Sequence, residues 1–233
     1  MIEGAEIKLS DSTFQSETHD PEDIHVWLCD ESPASQLEFE RYLRWIKPDD
    51  VVMDIGSGAG TFLEVLRRNR IKAFGVDLNE SLAKRASAKG STVLVKDVLK
   101  ALTEDRSGVT VFSMMDFVEH ISLRTLLEIL KRLSTVPGAK VLIQTPNLES
   151  VIGMKFWFHL PSHVTPLHPF FLRRLLKQHG FEIVDEWTSY GNLPWSGFRR
   201  WLTMKILNGV FGPPVAKMFC EGANIMIVAI APK

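Results

Sequence analysis

The stretch "MDFVEHI" brings two carboxylates and an imidazole close together in the chain: Asp116, Glu119 and His120. If the backbone turns helically there, positions i, i+3 and i+4 share one face. Oxygen and nitrogen donors gathered in this way suit two kinds of chemistry. They can hold a divalent cation such as Mg²⁺ or Zn²⁺, or they can take the proton from a weakly nucleophilic hydroxyl. A further ligand is expected from "LPSHVTPLHPF", through His163 or His168. Asp116, Glu119, His120 and His163 are therefore the candidate catalytic residues, and the same four are the candidate metal ligands.

A second constellation lies upstream. "VVMDIGSGAG" is an apolar run, an acid, and then Gly56, Gly58 and Gly60. Glycines directly after a buried strand let a ligand approach the main chain, where a β-carbon would collide with it. The dinucleotide fingerprint G-x-G-x-x-G would require glycine at 61, where Thr61 stands. "AFGVDLNE" then ends on Asp77, about 20 residues beyond the glycines, where a carboxylate can accept hydrogen bonds from ribose hydroxyls. Together, in this order and spacing, the two features point to a nucleoside ligand.

The elements that must carry these residues alternate between short apolar runs and helical patterns, which argues for βαβ units and a parallel sheet. Strands are expected over Val51–Ile55, Ala73–Val76, Thr92–Val95, Val109–Met114, Lys140–Gln144, Phe181–Asp185 and Asn224–Ile230. In "SLRTLLEILKRL", Ser122 reads as an N-cap, and Leu123, Leu126, Leu127 and Leu130 as the buried stripe. "PFFLRRLLKQHG" opens on Pro169 and closes on Gly180, with Phe171, Leu172, Leu175 and Leu176 facing the core. Both chemical segments then fall at the carboxyl edge of the sheet, where open α/β sheets bind ligands. "TPN", at Thr145 to Asn147, follows the fifth strand and either lines an acceptor pocket or simply turns the chain.

At 233 residues, 45% hydrophobic and 24% charged, the chain has the composition of one globular domain with an appended element. A formal net charge of −1 gives no general electrostatic reason to bind nucleic acid. Cys29 and Cys220 lack metal-ligand spacing, and no run approaches about 18 apolar residues. A cytoplasmic protein with neither leader nor membrane span is the expectation. Residues 1–36 read as an N-terminal extension that can lie across the site, and 37–233 as the main domain. The segment from Trp187 to Cys220 has no Asp or Glu, but contains Arg199, Arg200, Lys205, Lys217 and many aromatics. It reads as an insertion at about 188–221 whose helix carries Phe198, Trp201, Leu202 and Ile206 on one face. A packed lid, a dimer contact, or peripheral membrane contact through 195–211 all suit that pattern.

In sequence, "VVMDIGSGAG", "GVDLNE", "VKDVL", "FVEHI" and "PGAKVLIQTPN" resemble the successive motifs of class I S-adenosylmethionine-dependent methyltransferases. They resemble in particular the branch similar to the ubiquinone-biosynthesis O-methyltransferases. The likeness spans about 37–186 and the last strand. It implies a doubly wound, mostly parallel seven-stranded sheet, the Rossmann-like methyltransferase fold, with an antiparallel last strand. It also implies that Asp54, Gly56, Ser57, Gly58, Gly60, Asp77, Leu78, Asp97, Val98 and Met115 surround S-adenosylmethionine, released as S-adenosylhomocysteine. In that reading Asp54 organises the loop beneath the amino group, Asp77 holds the ribose, and Asp97 with Val98 flanks the adenine.

The element Asp116-x-x-Glu119-His120 is similar to the Glu-x-x-Glu-His element of metal-dependent relatives, with a shorter first acid. The implied activity is methyl transfer to a small-molecule acceptor, at a hydroxyl oxygen. Two alternatives stand beside it: a protein that binds the cofactor without turning it over, and an RNA-terminal 2′-O-methyltransferase. The balanced charge, with no evident basic groove, speaks against the latter. A short-chain dehydrogenase would need Tyr-x-x-x-Lys, whereas Tyr42 and Tyr190 are followed at that spacing by Ile46 and Pro194.

Overall fold

The computed structural model of the chain describes residues 33–189 and 197–233, apart from the side chains of 33–35, 197–200 and 220. The proposed lid lies almost wholly outside these residues, as do Trp195 and the side chains of Phe198, Arg199 and Arg200. Seven strands form one sheet: β1 (Val51–Ile55), β2 (Lys72–Asp77), β3 (Val93–Val95), β4 (Val111–Met115), β5 (Lys140–Pro146), β6 (Glu182–Thr188) and β7 (Asn224–Ile230). Their order is β3-β2-β1-β4-β5-β7-β6, parallel except for β7, which runs antiparallel to both neighbours. The strand order reverses between β1 and β4, so the crevice for a ligand opens beyond their carboxyl ends.

Both faces of the sheet are covered, which is why its strands are apolar without alternation. On one face α4 (Val98–Glu104), α5 (Leu123–Leu133) and α7 (Pro169–Gln178) pack on Met53, Ile55, Phe112, Met114 and Ile143. On the other, α1 (Pro33–Glu40), the 3₁₀ turn Arg41–Trp45 and α2 (Thr61–Arg68) pack on Val52, Val111, Met115 and Leu142. Tyr42 is fully buried there, and its hydroxyl donates to the Ile143 carbonyl at 2.8 Å. α3 (Glu80–Ala88) links β2 to β3, capped by the Asn79 side chain.

Ser122 caps α5, as its position suggests, by accepting from the Thr125 amide. The buried stripe of α5 is Leu126, Ile129, Leu130 and Leu133, however, while Leu123 is exposed. In a leucine-rich helix two overlapping stripes fit the 3.6 period, and docking of the last turn selects between them. α7 buries Leu172, Leu175 and Leu176, leaving Phe171 exposed, and Gly180 follows it at φ +82. α6 (Val151–His159) follows β5, and α8 (Gly197–Phe211) with α9 (Pro213–Cys220) connects β6 to β7. No helix among the described residues is long and apolar enough to cross a membrane.

Candidate functional site

β1 ends in a loop whose glycines take left-handed backbone angles: φ +70 at Gly56, +53 at Gly58 and +78 at Gly60. The Gly56 and Ser57 amides both donate to the Val76 carbonyl of β2, at 2.8 and 3.2 Å. This ties the loop to the strand that delivers Asp77. A β-carbon on Gly56 would sit 2.1 Å from the Phe117 ring, and one on Gly60 would sit 2.8 Å from the Ala86 β-carbon. The loop is thus wedged between the β4 turn and α3, and only glycine fits there. Thr61, at the position where a dinucleotide fingerprint needs glycine, is the first residue of α2 and is buried.

Asp77 organises this loop. Its Oδ2 accepts from the Gly58 amide at 2.7 Å and its Oδ1 from the Asn79 amide at 2.8 Å. A carboxylate oxygen is an acceptor, so an acid at this position suits hydroxyl donors such as those of a ribose. Next to it Leu78 is 65% exposed, an apolar side chain held out at the carboxyl edge where a flat base can lie on it. Ser57 is buried in the loop, and its Oγ has no hydrogen-bond partner among the described residues. Naked main chain, a carboxylate, an apolar shelf and an orphaned hydroxyl together fit a nucleoside with a polar tail.

Asp54 lies beneath the loop. The register pairs it with Ser113 of β4 and Gly75 of β2, and the Ser113 hydroxyl donates to it at 2.7 Å. Gly75 supplies room for the loop itself, since a β-carbon there would lie 2.3 Å from Ser57 Oγ. Burial pushes the Asp54 carboxyl up to about 7, opposed by the Ser113 bond and aided by the charge of Asp77. Asp97 is exposed and caps α4 by accepting from the Lys100 amide at 3.0 Å. Val98 opens that helix and is buried, and Met115 ends β4, also buried.

Across the crevice, β4 leads into the second constellation. Asp116 takes φ +51, so the backbone leaves the helical region there, and the 3₁₀ turn Val118–His120 starts only two residues later. The expected face of Asp116, Glu119 and His120 therefore does not form. The Asp116 carboxylate is bonded to Gln144 Nε2 at 2.8 Å, outside the cluster. Glu119, His120 and His163 do come together, with one ligand atom from each lying within 4.8 Å of the others. The segment after α6 returns to this edge, as its position predicts, because the Val164 and Thr165 amides donate to the Glu119 carbonyl. His168 instead caps α7, accepting from the Phe170 amide. Pro169 at the first helical position makes its neighbour the cap.

Glu119 is buried and accepts from Thr145 Oγ1 at 3.1 Å. Burial, together with the charge of Asp116, raises its carboxyl well above the ordinary glutamate range. The imidazoles are oriented by main-chain oxygens: His120 Nδ1 faces the Ser162 carbonyl at 3.3 Å, and His163 Nδ1 the Trp157 carbonyl at 2.8 Å. A carbonyl only accepts, so Nδ1 is the donor in both contacts, and in the neutral ring the lone pair lies on Nε2. The two rings meet edge to face at 4.7 Å.

Phe117, Gln144 and Thr145 were not singled out for these roles by the sequence. Phe117 joins the two halves of the site by packing on Gly56, Gln144 draws Asp116 aside, and Thr145 holds Glu119. Asn147 is buried and donates to Glu221 and the Gly222 carbonyl, fastening β5 to the neck of the α8–α9 connection.

Comparison with known proteins agrees with this geometry. A methyltransferase-domain family model matches residues 33–186, more than half of the chain, and the chain belongs to that family. Among solved structures it is similar to an S-adenosylmethionine-dependent methyltransferase from Archaeoglobus fulgidus. Identity is 24% over 84% of this chain and 92% of that one, with a TM-score of 0.71. It also resembles magnesium protoporphyrin IX methyltransferase from Synechocystis PCC 6803 with bound S-adenosylmethionine. There identity is 13% over 85% of this chain and 80% of that one, with a TM-score of 0.56. At these identities the likenesses concern the fold. No curated protein matches the chain significantly.

Proposed function

We propose that this methyltransferase uses S-adenosylmethionine and methylates a small-molecule acceptor at a hydroxyl oxygen. The observation that carries the reading is the junction of the two constellations. The glycine loop with Asp77 and the segment that carries Glu119 and His120 follow neighbouring strands at the carboxyl edge of the sheet, and Phe117, two residues before Glu119, packs on Gly56. The cofactor supplies an electrophilic methyl group on a positively charged sulfur, which becomes neutral when the methyl leaves. What the chain must do is align the acceptor, exclude water and take the hydroxyl proton. The main chain at Gly56, Gly58 and Gly60 and the orphaned Ser57 hydroxyl cup the methionine part, Asp77 receives the ribose hydroxyls, and Leu78, Asp97 and Val98 border the base. Asp54 supports the loop from below, and Met115 closes the floor.

His120 takes the acceptor proton on Nε2, the nitrogen left with the lone pair when Nδ1 donates to the Ser162 carbonyl. His163, edge to face with it, positions the ring and the acceptor. Likeness to the ubiquinone-biosynthesis O-methyltransferases supports oxygen as the accepting atom. His120→Ala is expected to lower turnover by about 10²–10⁴-fold, as general-base loss does, with cofactor affinity retained. The assay is release of S-adenosylhomocysteine across a panel of hydroxylated acceptors. An unchanged rate removes His120 from the chemistry, and cofactor binding without turnover on any acceptor favours a non-enzymatic binding protein.

A second reading is favoured by the ligand atoms of Glu119, His120 and His163 lying within 4.8 Å of one another. A divalent cation held there would ionise Glu119 and acidify the acceptor hydroxyl directly. Activity lost on chelation and restored by Mg²⁺ or Zn²⁺ supports that reading, and full activity after thorough chelation removes it.

A further inference from the structure

The β6–β7 connection leaves the sheet at its carboxyl edge, the same edge as the site, because β6 ends and antiparallel β7 begins there. Its neck is tightly fastened. The Ser189 amide donates to the Asn224 carbonyl, the Asn224 amide donates to Ser189 Oγ, and a β-carbon on Gly222 would lie 1.6 Å from the Ser189 oxygen. Lys217 pairs with Glu149 and Glu221, anchoring α9 to the loop after β5. Beyond this anchor α8 and α9 form a hairpin turning at Gly212, with Ala216 buried.

The exposed surface of that hairpin is the reverse of an ordinary soluble helix. Trp201 is 51% exposed, Ile206 56%, Val210 66% and Phe211 61%, with Leu202 and Met204 also exposed. At 100° per residue these six positions span most of the circumference of α8, so no single packing face accounts for them. Large apolar side chains exposed in this number on a short helix mark an interaction surface. Its charge has one sign. Residues 187–220 contain no Asp or Glu, Arg199 and Arg200 occupy the first turn of α8, and Lys205 Nζ lies 4.5 Å over the Trp201 ring.

We infer that the α8–α9 hairpin docks this protein on an anionic lipid surface, with α8 lying in the headgroup region and the site edge facing the bilayer. The charge complements acidic headgroups, which Lys205 can reach over its apolar stem. A second copy fits less well. A two-fold contact sets the same patch against itself, and an acid-free basic patch would oppose its own cations. At 15 residues α8 is about 22 Å long, short of the roughly 30 Å hydrocarbon thickness, so it lies on the membrane rather than spanning it.

The test is sedimentation of the full chain with vesicles of equal phosphatidylglycerol and phosphatidylcholine, or of phosphatidylcholine alone, at low and high salt. Expected is strong pelleting with the anionic vesicles at low salt, weakened by salt and by removal of the anionic lipid. Lys205→Glu is expected to lower the partition coefficient by about tenfold or more, and Trp201→Glu/Ile206→Glu to leave the chain in solution. Circular dichroism should be unchanged in both variants. No pelleting at low salt overturns the proposal, as does equal pelleting by the wild type and both variants. Light scattering that finds a stable dimer, dissolved by Trp201→Glu/Ile206→Glu and indifferent to vesicles, assigns the surface to a second copy and also overturns it.

Discussion

Asp54→Asn is expected to abolish a pH dependence of folding that the native chain carries at the base of its glycine loop. Burial raises the folded-state carboxyl from the ordinary 3.8 to about 7. The folded chain therefore holds the proton more tightly than the unfolded one. The resulting stability is fully present below about pH 4 and is lost as pH rises through about 7. At about 1.4 kcal/mol per pH unit the whole displacement is worth about 4 kcal/mol, of which about 2 kcal/mol falls between pH 5.5 and 8. Both the solvent exposure of 2% and the hydrogen bond to Ser113 place this group in the interior, so little screening reduces the figure. An asparagine keeps an acceptor for the Ser113 hydroxyl and does not titrate. Urea denaturation of both proteins across this range gives the difference in unfolding free energy. The variant should gain on the wild type by about 2 kcal/mol from pH 5.5 to 8. A difference constant to within about 0.5 kcal/mol, the ordinary scale of an inert substitution, would refute the burial argument.

Two further perturbations test the architecture around the site. Gly75→Ala changes none of the proposed contact residues itself, but its β-carbon would meet Ser57 Oγ, one of them, at 2.3 Å. Overpacking of about 1–3 kcal/mol should appear as about a tenfold loss of cofactor affinity by calorimetry, and unchanged affinity would mean that the loop does not need this space. Thr145→Val removes the hydroxyl bonded to buried Glu119 and should cost about 1–3 kcal/mol in denaturation, with Thr145→Ser restoring most of it. Equal stability of the three proteins would show that the bond carries no weight.

The sheet was legible because strands buried on both faces are uninterrupted apolar runs, and β1, β5 and β7 start where the pattern places them. The glycine loop and Asp77 were legible for a similar reason: a bare backbone followed by an acid after the next strand has a direct steric and hydrogen-bonding meaning. The second constellation was only half legible. Periodicity assumes one continuous helical path, and Asp116, at φ +51, breaks that path. The partners that settle the site lie far away in the chain, Gln144 for Asp116 and Thr145 for Glu119, and local spacing carries no trace of them. His163 was legible because its segment follows the fifth strand and so returns to the same edge, and only the choice between it and His168 needed the fold. For α8, an amphipathic stripe was expected where the exposed apolar residues run around most of the helix.

Calorimetric titration of the purified chain with S-adenosylmethionine and S-adenosylhomocysteine bears most directly on the central claim. Saturable binding of both is expected. Asp77→Ala should lose about tenfold or more in affinity, because charged hydrogen bonds to the ribose and to the Gly58 amide disappear together. A folded wild-type chain that takes up neither compound would contradict the account at its root.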